Sequence, residues 1–528
     1  MILEQDTNLR VHWLSFLRSA HKLLKERVFE QQFLHEPPTT STMYAPGLAL
    51  SSLLIGVQAF AFAFEFEASC SSLAAQVAAL PNVTVLSTEN VPAGTTMTFT
   101  DADPTCGANA TPTSVSVDIC RIKLNVATSN VSGIRMEAWL PKNWTGRFLS
   151  TGNGGLGGCI QYPDMAYGAS LGFATVGANN GHDGQTGAPF ENAPEVLADF
   201  VYRSIHTNVV VGKQITELFY GAPHTKSYYI GCSNGGREGI KSVQDFPEDF
   251  DGVVAGAAVL DANRAFAWFG HFYNITGTPS SPSFIPAKTW TSTIHQNVLA
   301  QCDMIDGVQD GILEDPNLCN YDPSELLCTY HNTTDCLTEA QVETVAKATP
   351  SLSSLYNGNP NPLASVSSLK LLYCIVLLNR FVRIGSAMWY TTTLSTLVYS
   401  RFADYERAIE LNPFDFATYK GDLSAFQSRN GKLLTYHGQA DTLATPGISQ
   451  QYYEHVSETM NLSPSSLDEF YRYFRISGLF HCTGGEGPWQ IGQVAGSSLD
   501  PDANVLMAVV RWVEDGRAGY DFGNQVCE

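Results

Sequence analysis

Positive charge is scarce in this sequence. The 528-residue chain carries 30 Lys and Arg against 51 Asp and Glu, a formal net charge of −21, and charged residues make up only 15%. A nucleic-acid binder needs a basic face for phosphate contact, so no nucleic-acid partner is expected. Cys-x-x-Cys pairs are absent, which argues against ribbon and finger zinc sites. No repeat and no long Pro-rich or Gln-rich tract occurs, so solenoid and low-complexity architectures fall away. What remains is a chain with 44% hydrophobic residues, enough for a substantial core.

The cysteines that are present are dispersed. There are 12, an even set that suits disulfides in an oxidising compartment. Sequons of the form N-x-[ST] occur at Asn82, Asn109, Asn130, Asn143, Asn274, Asn332 and Asn461 and favour secretion. Residues 45–64 form an uncharged, mostly apolar run followed by small residues before Cys70. Started at Met43, this run reads as a signal peptide cleaved between Ala61 and Ala68, although its leading segment lacks Lys and Arg. Residues 1–42 are then expected to be a start-site extension. One alternative is a signal anchor, since twenty residues span a bilayer. Another is an intracellular protein that buries the run. On the first reading the mature form is extracellular, with no membrane partner.

Strands alternate with helices over residues 68–265. Strands are expected at 147–150, 173–178, 227–230 and 253–256, and a helix over 198–220; a further strand is expected at 433–436. Such alternation implies a mostly parallel sheet, an α/β fold. Residues 266–430 hold five cysteines and an acidic, Gly-containing loop, and read as an insertion over the sheet, a lid. The expected organisation is an extension with signal peptide at 1–67, a first catalytic part at 68–265, the lid at 266–430 and a second catalytic part at 431–528.

Gly231-Cys232-Ser233-Asn234-Gly235 fits G-x-S-x-G after a strand and before an amphipathic stretch at 237–243. Small residues on both sides permit the tight strand-to-helix turn that projects a serine hydroxyl, and the N–H of Asn234 then points at a developing oxyanion. A plain structural turn has the same local sequence. A nucleophilic serine needs a base, and the base an orienting acid, in the order Ser, Asp, His. Asp441 lies at the tip of the loop that follows the 433–436 strand, and His481 in a Gly-flanked loop forty residues on. His437 competes for the base, and Asp303 or Asp306 for the acid if the insertion folds into the site. Cys232 precedes the serine and Cys482 follows the histidine; a bridge between them would tie the two loops together before substrate arrives. Either cysteine could instead pair elsewhere.

Five stretches together are similar to the fungal tannase and feruloyl esterase family, and most to its feruloyl esterase B branch. They begin at Ser150 (STGNGGLGGCI), Gly172 (GFATVGANNGH), Gly231 (GCSNGGR), Tyr436 (YHGQAD) and His481 (HC). The likeness runs from about Cys70 to Arg511. It implies an α/β-hydrolase sheet with a large lid inserted between nucleophile and acid. It implies Ser233 as acyl nucleophile, His481 as base and acid, Asp441 as orienter, and a Cys232–Cys482 bridge. Its family spacing suggests Cys70–Cys120, Cys106–Cys159, Cys302–Cys319 and Cys328–Cys336, leaving Cys374 and Cys527 over. It also implies a structural Ca2+ in the lid. The carboxylates of Asp303, Asp306 and Asp310, with the carbonyls of Val308 and Ile312, are hard oxygen donors on one short loop, which Gly307 and Gly311 let curl.

The expected reaction is two-step ester hydrolysis, with the oxyanion held by the N–H of Asn234 and one from the glycine-rich loop at 154–158, taken as Gly155. The substrate implied by the resemblance is a hydroxycinnamate ester on plant cell-wall polysaccharide. A tannase acting on galloyl esters is the first alternative. The second is an inactive chain acting at most as a binding protein. Its motive is two departures from the family pattern: residues 365–398, which read as translated intron, and the carboxyl end after Arg511.

Overall fold

A computed structural model describes residues 66–108, 111–265, 275–330, 334–355, 409–493 and 503–518, with the side chains of 349–355 excluded. The signal run, Cys374, Cys527, the 365–398 stretch and the sequons at Asn109, Asn274 and Asn332 lie outside the described residues.

Runs of buried residues set the centre of the fold. The strands are β1 (Val83–Val91), β2 (Thr96–Met97), β3 (Thr113–Ser114), β4 (Ile119–Ala127), β5 (Gly133–Pro141), β6 (Arg147–Thr151), β7 (Phe173–Ala178), β8 (Lys226–Cys232), β9 (Gly252–Gly256), β10 (Lys432–Gly438) and β11 (Tyr471–Ile476). Nine of them form one sheet in the order β1-β4-β5-β7-β6-β8-β9-β10-β11, and β2 pairs β3 apart. From β7 to β11 every neighbouring pair is parallel, while β1, β4 and β5 are joined antiparallel at one side. Every residue of β7, β9 and β10 is buried, as a sheet covered by helices on both faces requires. Successive side chains serve opposite faces. Phe148, Tyr229, Val253 and Leu433 pack with the helices Ser204–Tyr220, Asn234–Asp245 and Gly447–Met460. Leu149, Tyr228, Val254 and Leu434 pack with the helix Val505–Asp515 on the other side.

The expected helix over 198–220 is broken by geometry rather than by sequence. A π-helical stretch, Asp199–Arg203, precedes Ser204–Tyr220. Its wider turn accompanies the use of the Phe200 and Val201 carbonyls as acceptors for the guanidinium of Arg237.

The connection from β9 to β10 carries the insertion. A separate apolar cluster of Ile285, Trp290, Ile294, Val298, Leu337 and Val345 organises it. Phe416 packs with Phe190 and Phe200, and Leu423 and Phe426 join the main core, so packing onto the sheet has resumed by Leu423. Among the described residues five disulfides join Cys70 to Cys120, Cys106 to Cys159, Cys232 to Cys482, Cys302 to Cys319 and Cys328 to Cys336. Among the described residues no helix is long and apolar enough to cross a membrane.

Candidate active site

Ser233 sits between the end of β8 and the helix Asn234–Asp245, with φ 64° and ψ −121°. That backbone is strained for a residue with a Cβ and is held by its surroundings. Its N–H donates to the Gly256 carbonyl at 2.9 Å, and its own carbonyl accepts from Arg237 N–H at 3.1 Å. The flanking glycines are required by contact: a Cβ on Gly231 would lie 2.7 Å from the Gly235 carbonyl carbon, and one on Gly235 2.8 Å from the Asn153 carbonyl oxygen. The tight turn thus brings the glycine-rich loop after β6 against the start of the helix.

β10 ends at Gly438, and the chain turns so that Asp441 is buried beneath the following loop. One carboxylate oxygen of Asp441 lies 2.7 Å from Nδ1 of His481 and 3.1 Å from Nε2 of His437. The other accepts from the N–H groups of Leu443 and Ala444 at 2.7 and 2.9 Å. Burial alone pushes this carboxyl up. The His481 charge and the hydrogen bonds from both imidazoles more than offset that and hold it well below the usual carboxylate range. Asp303 and Asp306 take no part in these contacts. His437, which the strand pattern sets apart from the site, is fully buried between Asp441 and the Ser449 hydroxyl, 2.7 Å from its Nδ1.

His481 is half-buried on a hairpin-like loop closed by Phe480 N–H donating to the Gly484 carbonyl at 2.9 Å. The Cys232–Cys482 bridge ties this loop to the serine turn, with Cα atoms 5.9 Å apart. Each cysteine adjoins one of the reactive residues, so the backbones of Ser233 and His481 lie within about 14 Å of each other.

In the glycine-rich loop, Gly152 N–H donates to Ile230, Asn153 to Glu238, Gly157 to Gly154 and Gly158 to Gly184. The N–H groups of Gly154 and Gly155 donate to no group among the described residues. A Cβ on Gly154 would meet nothing within 4 Å, and one on Gly155 only Gln185 at 3.9 Å. Open space therefore borders the segment that carries Gly155, whose φ is 62°. The imidazole of His182, buried among Phe190 and Phe200, reaches the Leu156 carbonyl at 2.8 Å and braces the same loop.

Two buried charges follow the serine. Arg237 donates to the Asn234 side-chain oxygen at 2.8 Å and packs against the rings of Phe200 and Phe416. Burial pulls its guanidinium down to about 10. Glu238 is buried too, and burial pushes its carboxyl up. Sequence reasoning passed over both, together with Asn180 and His182. The available signal was a charged pair in a helix that must pack on a sheet.

The acidic loop of the insertion is shaped by its own carboxylates. Asp303 accepts from Gly311 N–H at 3.0 Å, Asp306 from Val308 at 2.8 Å and Asp310 from Ile312 at 3.0 Å. Gly307 and Gly311 have φ of 94° and 80°. The donors are chemically suited to a hard cation, but among the described residues no three carboxylate, imidazole or thiolate groups form a cluster that would hold one. A cavity is lined jointly by this region and the Asp441 and His481 loops, through His295, Leu299, Gly311, Ala440, Phe480 and Glu486.

The profile of the Tannase and feruloyl esterase family matches residues 120–367 and 390–523. The chain belongs to this family of carboxylic-ester hydrolases. The family match is interrupted at 368–389, within the stretch whose sequence departs from the pattern, and resumes to run past Arg511, so the carboxyl end keeps the family pattern further than expected. A protein named probable feruloyl esterase B-2 from Aspergillus terreus is 46% identical over 485 residues, 89% of this chain and 90% of that one. Feruloyl esterase C from Talaromyces stipitatus is 46% identical over 473 residues, 85% of each. The crystal structure of feruloyl esterase B from Aspergillus oryzae is similar at a TM-score of 0.76 and 43% identity, over 86% of this chain and 91% of that one. Tannin acyl hydrolase from Aspergillus niger, at 20% identity and a TM-score of 0.58 over 83% of this chain and 85% of that one, shares the fold. The family's fold is the α/β-hydrolase type, and the nine-stranded sheet with its flanking helices is that architecture.

Proposed function

We propose that the protein is a secreted serine esterase that releases ferulic or a related hydroxycinnamic acid from plant cell-wall polysaccharide esters. Ser233 attacks the ester carbonyl while His481 takes its proton. Asp441 holds the imidazole in the required tautomer and stabilises its charged form. The oxyanion is received by the N–H of Asn234 and by one from Gly155 in the segment left open in the glycine-rich loop. The alcohol departs with the proton from His481, and water activated by the same imidazole releases the acid. The observation that carries this reading is the 2.7 Å contact between His481 and the buried Asp441, on a loop bridged to the strained serine turn. The choice of a feruloyl over a galloyl ester rests on relatives named feruloyl esterase.

Export is supported by the sequons: the described members Asn82, Asn130, Asn143 and Asn461 are all exposed, as carrier asparagines must be. Calcium at the loop of Asp303, Asp306, Val308, Asp310 and Ile312 is a separable part of the proposal, supported by donor chemistry alone, and no step of the reaction depends on it.

The test is the rate of purified enzyme and Ser233→Ala on methyl ferulate and methyl gallate. The reading expects loss of nearly all activity in the variant and a higher kcat/KM on the ferulate. A parent that prefers the gallate would make it a tannase. A Ser233→Ala protein with unchanged turnover would overturn the nucleophile.

A further inference from the structure

Glu238 is a buried carboxyl one turn into the nucleophile helix, and the proposed reaction gives it no task. It forms no hydrogen bond with its neighbour Arg237, whose guanidinium turns instead to Asn234, Phe200 and Val201. Its own partners come from the glycine-rich loop, the segment after β7, strand β8 and the first turn of its own helix. One oxygen accepts from the Asn180 side chain at 2.7 Å and from the Asn234 side chain at 2.7 Å. The other accepts from the backbone N–H of Asn153 at 3.0 Å and lies 3.2 Å from the Tyr229 hydroxyl, which itself donates to the Gly235 carbonyl at 2.7 Å.

Those partners border both halves of the proposed oxyanion site. Asn234 supplies one N–H, and Asn153 immediately precedes Gly154 and Gly155, the segment that borders open space and is proposed to supply the second. Asn180, with φ 53°, adds the segment that follows β7, whose next member but one, His182, also braces the loop. A carboxyl with two acceptor oxygens gathers donors from two directions, which neither an amide nor an apolar side chain of the same length does. Leaving such a group in the core costs free energy unless these bonds are made, so the bonds are coupled to the burial.

We propose that Glu238 is a positioning residue that fixes the glycine-rich loop against the nucleophile helix and so sets the spacing between the two oxyanion donors. The proposal rests on the serine-esterase reading. Oxyanion donors act only when held at hydrogen-bond distance from where charge develops, so displacement of the loop lowers turnover more than substrate affinity.

The test uses the full-length enzyme and its Glu238→Gln and Asn180→Gly variants, with Ser233→Ala as control. Glycine tolerates the positive φ at 180 and removes one donor to Glu238. Turnover of methyl ferulate is expressed per active site, counted from the endpoint of covalent labelling by a fluorophosphonate, so unfolded protein does not enter the rate. The expected result for Glu238→Gln is a fall in kcat per labelled site of about tenfold or more, with KM within about twofold. Asn180→Gly is expected to move kcat in the same direction by less, again at constant KM. A kcat per labelled site within twofold of the parent in both variants would overturn the proposal, as would a loss confined to the number of labelled sites. Should Glu238→Gln yield no folded protein, Asn180→Gly alone decides by the same criterion. Activity retained by Ser233→Ala would instead sink the nucleophile reading, whatever the other variants do.

Discussion

Asp441 and three aspartates of the 302–319 loop, Asp303, Asp306 and Asp310, are the same chemical group in two different settings. Asp441 is buried, receives two backbone N–H groups on one oxygen, and has two imidazoles on the other. Asp306 and Asp310 each close a short turn by accepting an N–H two residues on, and Asp303 one eight residues on. In the first setting the surroundings must keep the charge and aim it at His481. In the second the charge is incidental to turn formation unless a cation supplies the missing partner. The difference teaches that a carboxylate's role follows from what it is denied. Asp441 is denied water and is left with imidazoles; Asp306 and Asp310 are exposed and use their own backbone.

The sharpest way to break this contrast is to remove the charge at Asp441 and keep its shape. Asp441→Asn should lower kcat on methyl ferulate by about 10⁴-fold, because an amide no longer favours the productive tautomer of His481. Stability carries a second signature. A carboxyl whose pKa is depressed on folding contributes stability that is fully present above its ordinary value of 3.8 and is lost as pH falls through the folded value. The contribution of the Asp441 charge to the gap between parent and variant should therefore be complete at about pH 4 and shrink below it. Urea unfolding at a series of pH values measures that gap, and a gap that goes on growing below about pH 4 would contradict the assigned hydrogen bonds.

Next in size is the covalent tie between the two loops. The Cys232–Cys482 bridge spans 250 residues of sequence, so the chain-entropy account gives it a large contribution, ~5 kcal/mol at most. Replacing both cysteines by serine should lower the unfolding midpoint and also reduce kcat per folded enzyme by about tenfold, as His481 loses its fixed place beside Ser233. Removing Cys302–Cys319, which closes only 17 residues around the acidic loop, should cost less stability and leave kcat within about twofold. Equal losses of turnover from the two bridges would erase the distinction between the regions.

Much of this arrangement was legible along the chain, and for a physical reason. The parallel strands β7, β9 and β10 are buried on both faces, so they read as short apolar runs, and their expected positions match the observed ones to within one or two residues at each end. The serine turn is legible because its geometry admits only small neighbours. The antiparallel strands escaped notice. β1 alternates irregularly at the sheet edge with most residues partly or fully exposed, and β4 and β5 bury a charged pair, Arg121 and Glu137, that disguises their pattern. The contact of His437 with Asp441 was not legible, because period-two alternation assigns a face of the sheet but not a partner at its end. Glu238 was invisible for a related reason: beyond a local bond to Asn234 on its own helix, its value lies in bonds to residues 153, 180 and 229, which only the folded sheet brings together.

The smallest expected effect lies in the acidic loop itself. Asp306→Asn keeps a side-chain oxygen to accept the Val308 N–H and removes one charge from a region lacking a cluster of three metal-binding groups. In metal-free buffer the variant should melt within about 2 °C of the parent and keep its kcat, since a surface charge of this kind is worth little. Added calcium then sharpens the comparison. If the carbonyls of Val308 and Ile312 draw the three carboxylates together around a cation, the parent should gain thermal stability with calcium in a saturable way, and Asp306→Asn should gain less. Identical melting curves for both proteins with and without calcium would mean that the loop aspartates serve backbone turns alone.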